Sequence, residues 1–253
     1  MEIRRLTDIG STNDYIMDLL GKGTGGEPSM NEWTGAVVSA HQTAGKGMGT
    51  NTWESEAGKN LLFSILVHPL WLEAANQYLL SMAEALALRD VLAEYADGIT
   101  IKWPNDIYWQ DKKISGTRID GNIKGRYMAD MVIGTGININ QEVFRSDAPN
   151  PVSLKQISGK DYDCDDILQR ILQRFEHYYA IAEREWSNGK GSETISRLYH
   201  SHLYRRKGMH RYRDANGSFE AETIGVKPNG ILMLRRKDGT VSEYEFKEIS
   251  FLL

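Results

Sequence analysis

The residues best suited to chemistry in this sequence sit in three short runs, each offering a different kind of group. The first, AGKGMGTNTW at 44–53, places glycines at 45, 47 and 49 around Lys46 and ends on Trp53. Glycine leaves backbone N–H groups unobstructed, so Gly45 and Gly47 can let the chain wrap anionic oxygens while Lys46 adds a mobile positive charge. The spacing is neither a Walker A loop nor a Rossmann fingerprint, because no Lys-Ser/Thr pair follows and the third glycine is misplaced. A surface connector is the competing reading. Trp53 reads either as a core ring or as a face on which a purine stacks.

The second run is KWPNDIYWQDKK at 102–113. Pro104 fixes a turn directly after a strand, and Asn105 and Asp106 put an amide and a carboxylate at its tip. Alternation along the return strand turns one of Lys112 and Lys113 inward. An inward lysine is costly unless it meets an anion, so one of the pair is a site candidate, against the alternative of a solvated hairpin. The third run is GTGININ at 134–140. Two glycines on one face of a strand weaken it, so something must approach closely there, either a ligand or a packed helix. Asn138 and Asn140 share that face by the period of two. A fourth run, STND at 11–14, is fully explained as a helix cap. His200 and His202 read as surface residues, and Arg205, Arg206, Lys207, Arg211 and Arg213 as a solvated strand face or a steering patch for an acidic partner. No zinc signature, nucleophile elbow or paired-carboxylate pattern occurs.

These runs need elements to hold them. Residues 3–6 read as a short strand, and Ser11, Thr12 and Asn13 start a helix carrying Ile16, Leu19 and Leu20. A turn-rich connector occupies 21–32. Strands are predicted at 35–40 and 60–68, a helix at 72–95, strands at 99–103, 107–109 and from Ile114 onward, and another at 131–139. Ile167, Ile171, Phe175, Tyr178, Ala182 and Trp186 mark a second long amphipathic helix, with a short third at 195–200. From about Tyr204 the pattern changes to short alternating runs broken by Asn216-Gly217, Asn229-Gly230 and Asp238-Gly239, the mark of a small antiparallel barrel.

Bulk properties bound the answer. The 253 residues suffice for one large and one small domain, and 41% hydrophobic with 25% charged residues is ordinary for a soluble globular protein. A net charge of -4 advertises neither nucleic acid nor an anionic membrane as partner. The single cysteine, Cys164, excludes an internal disulfide, and flanking Asp163, Asp165 and Asp166 disfavour a thiolate. The N-terminal residues lack the apolar run of a signal peptide, and the apolar stretch at 61–72 is interrupted by Ser64, His68 and Pro69, so the expectation is a cytoplasmic protein with no membrane partner.

Taken in order, Ser-Thr-Asn, the Gly-Lys-Gly…Trp loop, Lys-Trp-Pro-Asn-Asp with a downstream lysine, and Gly-x-Gly-x-Asn-x-Asn resemble the biotin–protein ligase family. The terminal FKEISFLL also resembles that family's last domain. The resemblance covers about 9–253 and implies an α+β fold: a mixed β-sheet flanked by helices, related to class II tRNA-synthetase cores, over 1–202, then an SH3-like barrel over 203–253. It implies formation of biotinyl-5'-AMP from biotin and ATP, with Mg²⁺ as a companion of ATP and no tightly bound prosthetic group. Transfer then goes to a lysine of a biotin carboxyl carrier domain of the acetyl-CoA carboxylase type. A lipoate-specific ligase and a non-catalytic biotin or adenylate binder are the rival readings.

The same resemblance implies roles. Ser11, Thr12 and Gln42 would hold the biotin rings, and Gly45, Lys46 and Gly47 would wrap the carboxyl and phosphate end. Trp53 would stack on adenine, with Asn105 and Asn138 placing the nucleotide. Asp106 would hold Mg²⁺ or orient a lysine, Lys113 would be the central catalytic cation, and Gly116 would let the sheet backbone approach biotin. Two departures stand out. Met48, Gly49, Thr50 and Asn51 occupy a stretch where the family has arginines, from which a leakier adenylate is expected. Thr117 and Arg118 replace aliphatic residues, so Arg118 either faces away or alters the pocket. Only ten residues precede Ser11, so no DNA-binding module and no DNA partner is expected, while a homodimer is compatible with the resemblance.

Overall fold

The computed structural model describes residues 1–21, 33–47, 51–146 and 148–252. The predicted connector therefore lies almost wholly outside the described residues, as do Met48, Gly49 and Thr50 of the glycine-rich loop. The first sheet has seven strands: β1 (Glu2–Ile9), β2 (Gly35–Gln42), β3 (Leu61–Val67), β4 (Ile99–Lys102), β5 (Asp106–Trp109), β6 (Lys112–Lys124) and β7 (Tyr127–Ile137). Their order across the sheet is β1-β2-β3-β7-β6-β5-β4, with β1 parallel to β2 and every other pair antiparallel. Beside the central β7 lies β3, whose seven residues are all buried, which is why LLFSILV reads as a continuous apolar run with a single serine instead of alternating.

One face of the sheet is covered by α1 (Thr12–Gly21), through Ile16 against Val37, Leu66 and Val132. The other is covered by α2 (Tyr78–Leu92), backed by α4 (Cys164–Ser187) and α5 (Glu193–Ser201). A five-residue helix, α3 (Leu154–Ser158), had no clear periodicity to announce it; Ser153 and Gln156 form a capping box at its start. Asp163 caps α4 by accepting from the Asp165 and Asp166 amides.

The expected helix from residue 72 begins six residues late. The backbone of Leu72 accepts from Met128 N at 2.9 Å and Ala74 N donates to Arg126 O at 2.9 Å, so this stretch is drawn onto the end of the β6–β7 hairpin. Tertiary hydrogen bonding overrides the local periodicity there. Conversely β7 ends at Ile137 instead of 139, because Asn138 N turns to Ile114 O at 2.9 Å.

The second sheet comprises β8 (His210–Asp214), β9 (Gly217–Val226), β10 (Leu232–Arg236), β11 (Val241–Tyr244) and β12 (Ser250–Phe251), antiparallel in the order β11-β10-β9-β8-β12. All three anticipated glycine turns fall between its strands, and Gly217, Gly230 and Gly239 have φ of 120, 91 and 88°, where other residues are strained. This separate antiparallel sheet is consistent with the expected SH3-like unit. Definite contacts tie this C-terminal part of the chain to the first sheet and to α5. Leu203 pairs with Ile101 on the free edge of β4, Trp103 Nε1 donates to Gly230 O at 2.8 Å, and the His200 ring lies 2.9 Å from both Val226 N and O. His200 is therefore a half-buried joint residue and not the surface residue anticipated; its burial holds the imidazole pKa below the ordinary value.

Candidate functional site

The glycines of β7 decide which side of the sheet is open. A Cβ on Gly134 would lie 1.9 Å from Asn13 Oδ1, and one on Gly136 would lie 2.4 Å from Trp53 Cε2. These glycines thus face α1 and the 45–53 loop, and Gly116 on β6 faces the same way, with a Cβ position 2.9 Å from Lys113 Nζ and 3.2 Å from Trp53 Cζ3. The alternate residues Thr117 and Thr135 point to the opposite face, where their hydroxyls meet at 3.2 Å. On the glycine side opens a cavity of about 880 Å³.

At one end of the cavity stands Lys113. Lys112 is exposed while Lys113 turns inward, and a β-bulge at Ile107/Tyr108 in the pairing with β5 sets this register. Its backbone is clamped by Asn150 O (2.8 Å) and Val152 N (2.9 Å). Its ammonium lies 2.7 Å from Asp106 Oδ1 and 5.8 Å from the centroid of the Trp53 ring. The Asp106 carboxylate thus pairs with the inward ammonium. Turn geometry after the cis Trp103–Pro104 bond is fixed by Asn105, whose side-chain amide donates to Thr117 O. Asn138, 3% exposed, likewise donates to Val152 O at 3.2 Å, so both amides hold backbone as they line the cavity. Asn140, expected beside Asn138, instead exchanges two hydrogen bonds with Tyr162 outside the cavity.

At the other end lies a continuous polar network. Gln42 Oε1 accepts from Thr12 N (2.7 Å) and Thr12 Oγ1 (3.2 Å), and Ser64 Oγ sits 2.7 Å from Thr12 Oγ1 and 2.5 Å from Asn13 Oδ1. Asn13 Nδ2 donates to Asp120 Oδ2 at 2.8 Å, and Asp120 also takes the Arg118 guanidinium at 2.9 Å. Burial raises the Asp120 carboxyl pKa, but Arg118, Asn13 and Lys46 more than offset this and leave it below the ordinary value. Ser11 caps α1 through Asp14 N, as its position in the sequence suggests.

The glycine-rich loop closes on itself: Trp53 N donates to Gly45 O at 2.9 Å and Gly47 N to Asn51 O at 2.8 Å. This corrects the expectation of a free amide at Gly47. Gly45 is buried and, like Asn140, does not line the cavity; Lys46 points back to Asp14 at 2.6 Å instead of toward Lys113.

Further contributors were not singled out in advance. Glu54 accepts the amides of Arg145 and Ser146, fixing a wall that includes Phe144; burial raises its pKa, but these hydrogen bonds and those of Ser146 and Gln141 side chains bring it below the ordinary value. Phe246, Lys247 and Phe251 close the cavity from the second sheet, a contribution with no local signal. Beneath the glycine strands, Glu84 of α2 is fully buried, receives the Thr135 hydroxyl at 3.0 Å and leaves Oε2 without a partner among the described residues. Burial pushes its carboxyl up to about 7, against the opposing Thr135 hydrogen bond. A lone acid in the apolar run of α2, four residues after Leu80 and four before Leu88, was its signal.

Residues 28–138 match the model of the Biotin/lipoate A/B protein ligase family. The bifunctional ligase/repressor BirA of Bacillus subtilis is 31% identical over 215 residues, covering 82% of this chain and 63% of that protein. Escherichia coli BirA is 34% identical over 180 residues, covering 70% and 53%. The chain thus spans less than two thirds of the length of these relatives. In structure it is similar to the biotin protein ligase from Aquifex aeolicus in complex with biotin and ATP, with a TM-score of 0.74 at 23% identity over 98% of this chain and 97% of that one. The order of the motifs, the matching fold and the aligned relatives lead to one family: this chain belongs to the biotin/lipoate A/B protein ligases.

Proposed function

We propose that the chain is a biotin–protein ligase, forming biotinyl-5'-AMP and passing biotin to a lysine of a biotin carboxyl carrier domain, with residues 1–202 as the catalytic domain and 203–253 as a smaller one. The observation that carries this reading is an inward ammonium, Lys113, held by Asp106 at the wall of a cavity large enough for two joined small molecules. In the first step a carboxylate oxygen attacks the α-phosphorus of ATP and pyrophosphate leaves. Two anions must meet, and Lys113 offsets their repulsion as charge gathers on the phosphoryl oxygens. In the second step the carrier's lysine amine attacks the acyl carbon and AMP leaves. No protein nucleophile is required.

Mg²⁺ would enter with the nucleotide. Asp106 and Glu54 are the carboxylates on the cavity wall, both already engaged, and no cluster of three metal-ligating side chains exists among the described residues. That donor set fits an ion held chiefly by phosphate oxygens and water.

Biotin, ATP, Mg²⁺ and a carrier domain of the acetyl-CoA carboxylase type, followed by mass measurement of the acceptor, test the reading; lipoate in place of biotin tests its rival. Biotin is expected to release pyrophosphate and label the carrier. Lys113→Ala is expected to keep the fold and biotin binding while losing adenylation by about a hundredfold or more. Turnover with lipoate alone, or wild-type turnover in Lys113→Ala, refutes the assignment.

A further inference from the structure

The polar end of the cavity can be read by counting protons. Gln42 Oε1 accepts from the Thr12 backbone N–H, which can only donate, so the amide orientation is fixed and Nε2 faces outward from that bond. Gln42 Nε2 forms no hydrogen bond among the described residues. Asp120 is saturated: Oδ1 takes Arg118 Nη2 (2.9 Å) and Nε (3.2 Å), and Oδ2 takes Asn13 Nδ2 (2.8 Å) and Arg118 Nε (2.9 Å). Asn13 Oδ1 and Thr12 Oγ1 are both within reach of the Ser64 hydroxyl. Arg118 lines the cavity, its side chain 29% exposed, and its Nη1 has no partner among the described residues. The acceptors at this end are spent internally and the donors are not.

This arrangement is built, not incidental. Gly134 stands opposite Arg118 in the β6–β7 register and has no side chain, which is what lets Asn13 reach Asp120 across the sheet. Asp120 in turn grips Arg118 from both of its oxygens, limiting the guanidinium's freedom.

We propose that Arg118 is a specificity-determining residue, donating from its free guanidinium nitrogen to an uncharged acceptor, a carbonyl-type oxygen, on the head of the substrate. The proposal rests on the biotin reading, in which the acceptor is the oxygen of the cyclic urea. A head carrying a cation and N–H groups in place of that oxygen meets both a like charge and donor facing donor.

The experiment compares biotin with 2-iminobiotin, in which the urea oxygen is replaced by a protonated imine, as substrates for pyrophosphate release. Wild type is expected to favour biotin strongly. In Arg118→Leu the KM for biotin is expected to rise about ten- to a hundredfold, the loss of a hydrogen bond to a charged group, while the KM ratio of iminobiotin to biotin falls by at least about tenfold. The double variant R118L/D120L removes the carboxylate left unpaired, and is expected to show the same fall in the ratio. A purely structural Arg118–Asp120 pair would raise both KM values together, and an unchanged ratio in both variants overturns the proposal. Wild type that turns over neither compound refutes the biotin reading itself, so the two failures are distinct.

Discussion

Adding one methyl group at residue 136 tests how the glycine wall sets the site. A Cβ there would lie 2.4, 2.6 and 2.8 Å from Trp53 Cε2, Nε1 and Cζ2, whereas ordinary contact begins near 3.4 Å. The indole must therefore move by about 1 Å in Gly136→Ala, and β3 and β6 hold the strand from both sides, so the ring yields and not the backbone. Trp53 Nε1 is buried without a hydrogen-bond partner among the described residues, so no polar bond resists the shift. The expected stability loss is about 1–3 kcal/mol, the usual cost of overpacking. A ring displaced by about 1 Å, next to Lys113 and over the cavity, should lower kcat/KM by on the order of a hundredfold. Gly116→Ala is the informative partner: its nearest atoms are Lys113 Nζ at 2.9 Å and Cε at 3.0 Å, the movable end of a flexible chain. That variant should lose activity with little change in melting temperature. The assay is pyrophosphate release, thermal unfolding and ¹⁵N spectra of the six indoles, with the Trp53 signal assigned through Trp53→Phe. An unmoved Trp53 signal and kcat/KM within threefold of wild type in Gly136→Ala would refute the reasoning.

Two further outcomes concern groups away from the reacting atoms. Glu84 titrates at about 7 in the fold, above its ordinary value, so its contribution to stability is complete below about pH 4.5 and is lost as pH rises through 7. Urea unfolding should show a loss of roughly 2–3 kcal/mol between pH 5 and 8 that Glu84→Gln abolishes; parallel profiles for the two proteins would show that Glu84 does not carry it. The Cys164 thiol is pushed up to about 11 by burial and by Asp163 and Asp165. At pH 8 it should react with a disulfide reagent on the order of a hundredfold more slowly than free cysteine, and labelling at the free rate in the folded protein would contradict that environment.

Much of the first sheet was legible because its strands carry strong local signals. The glycine turns of the second sheet were equally plain, since Gly217, Gly230 and Gly239 sit where positive φ admits little else. Helix boundaries were less so. The stretch before Tyr78 has helical spacing, yet it spends Leu72 O and Ala74 N on the β6–β7 hairpin, a partner some fifty residues away that no local window contains. His200 looked like a surface residue for the same reason: Val226, its partner, is 26 positions distant.

By itself, the sequence determined the chemical inventory and the approximate place of each part: glycines where a strand must leave room, an inward lysine after an Asn-Asp turn, a serine at a helix start. Those are local properties, dictated by backbone sterics and the period of the element. Tertiary structure alone decided the pairings. It joined Lys113 to Asp106, turned Lys46 toward Asp14, aimed Thr117 away from the cavity and Arg118 along it, and closed the cavity with Phe246 and Phe251 from the second sheet. Charge and hydrogen-bond partners are chosen by distance in space, and folding brings together residues that the chain keeps far apart.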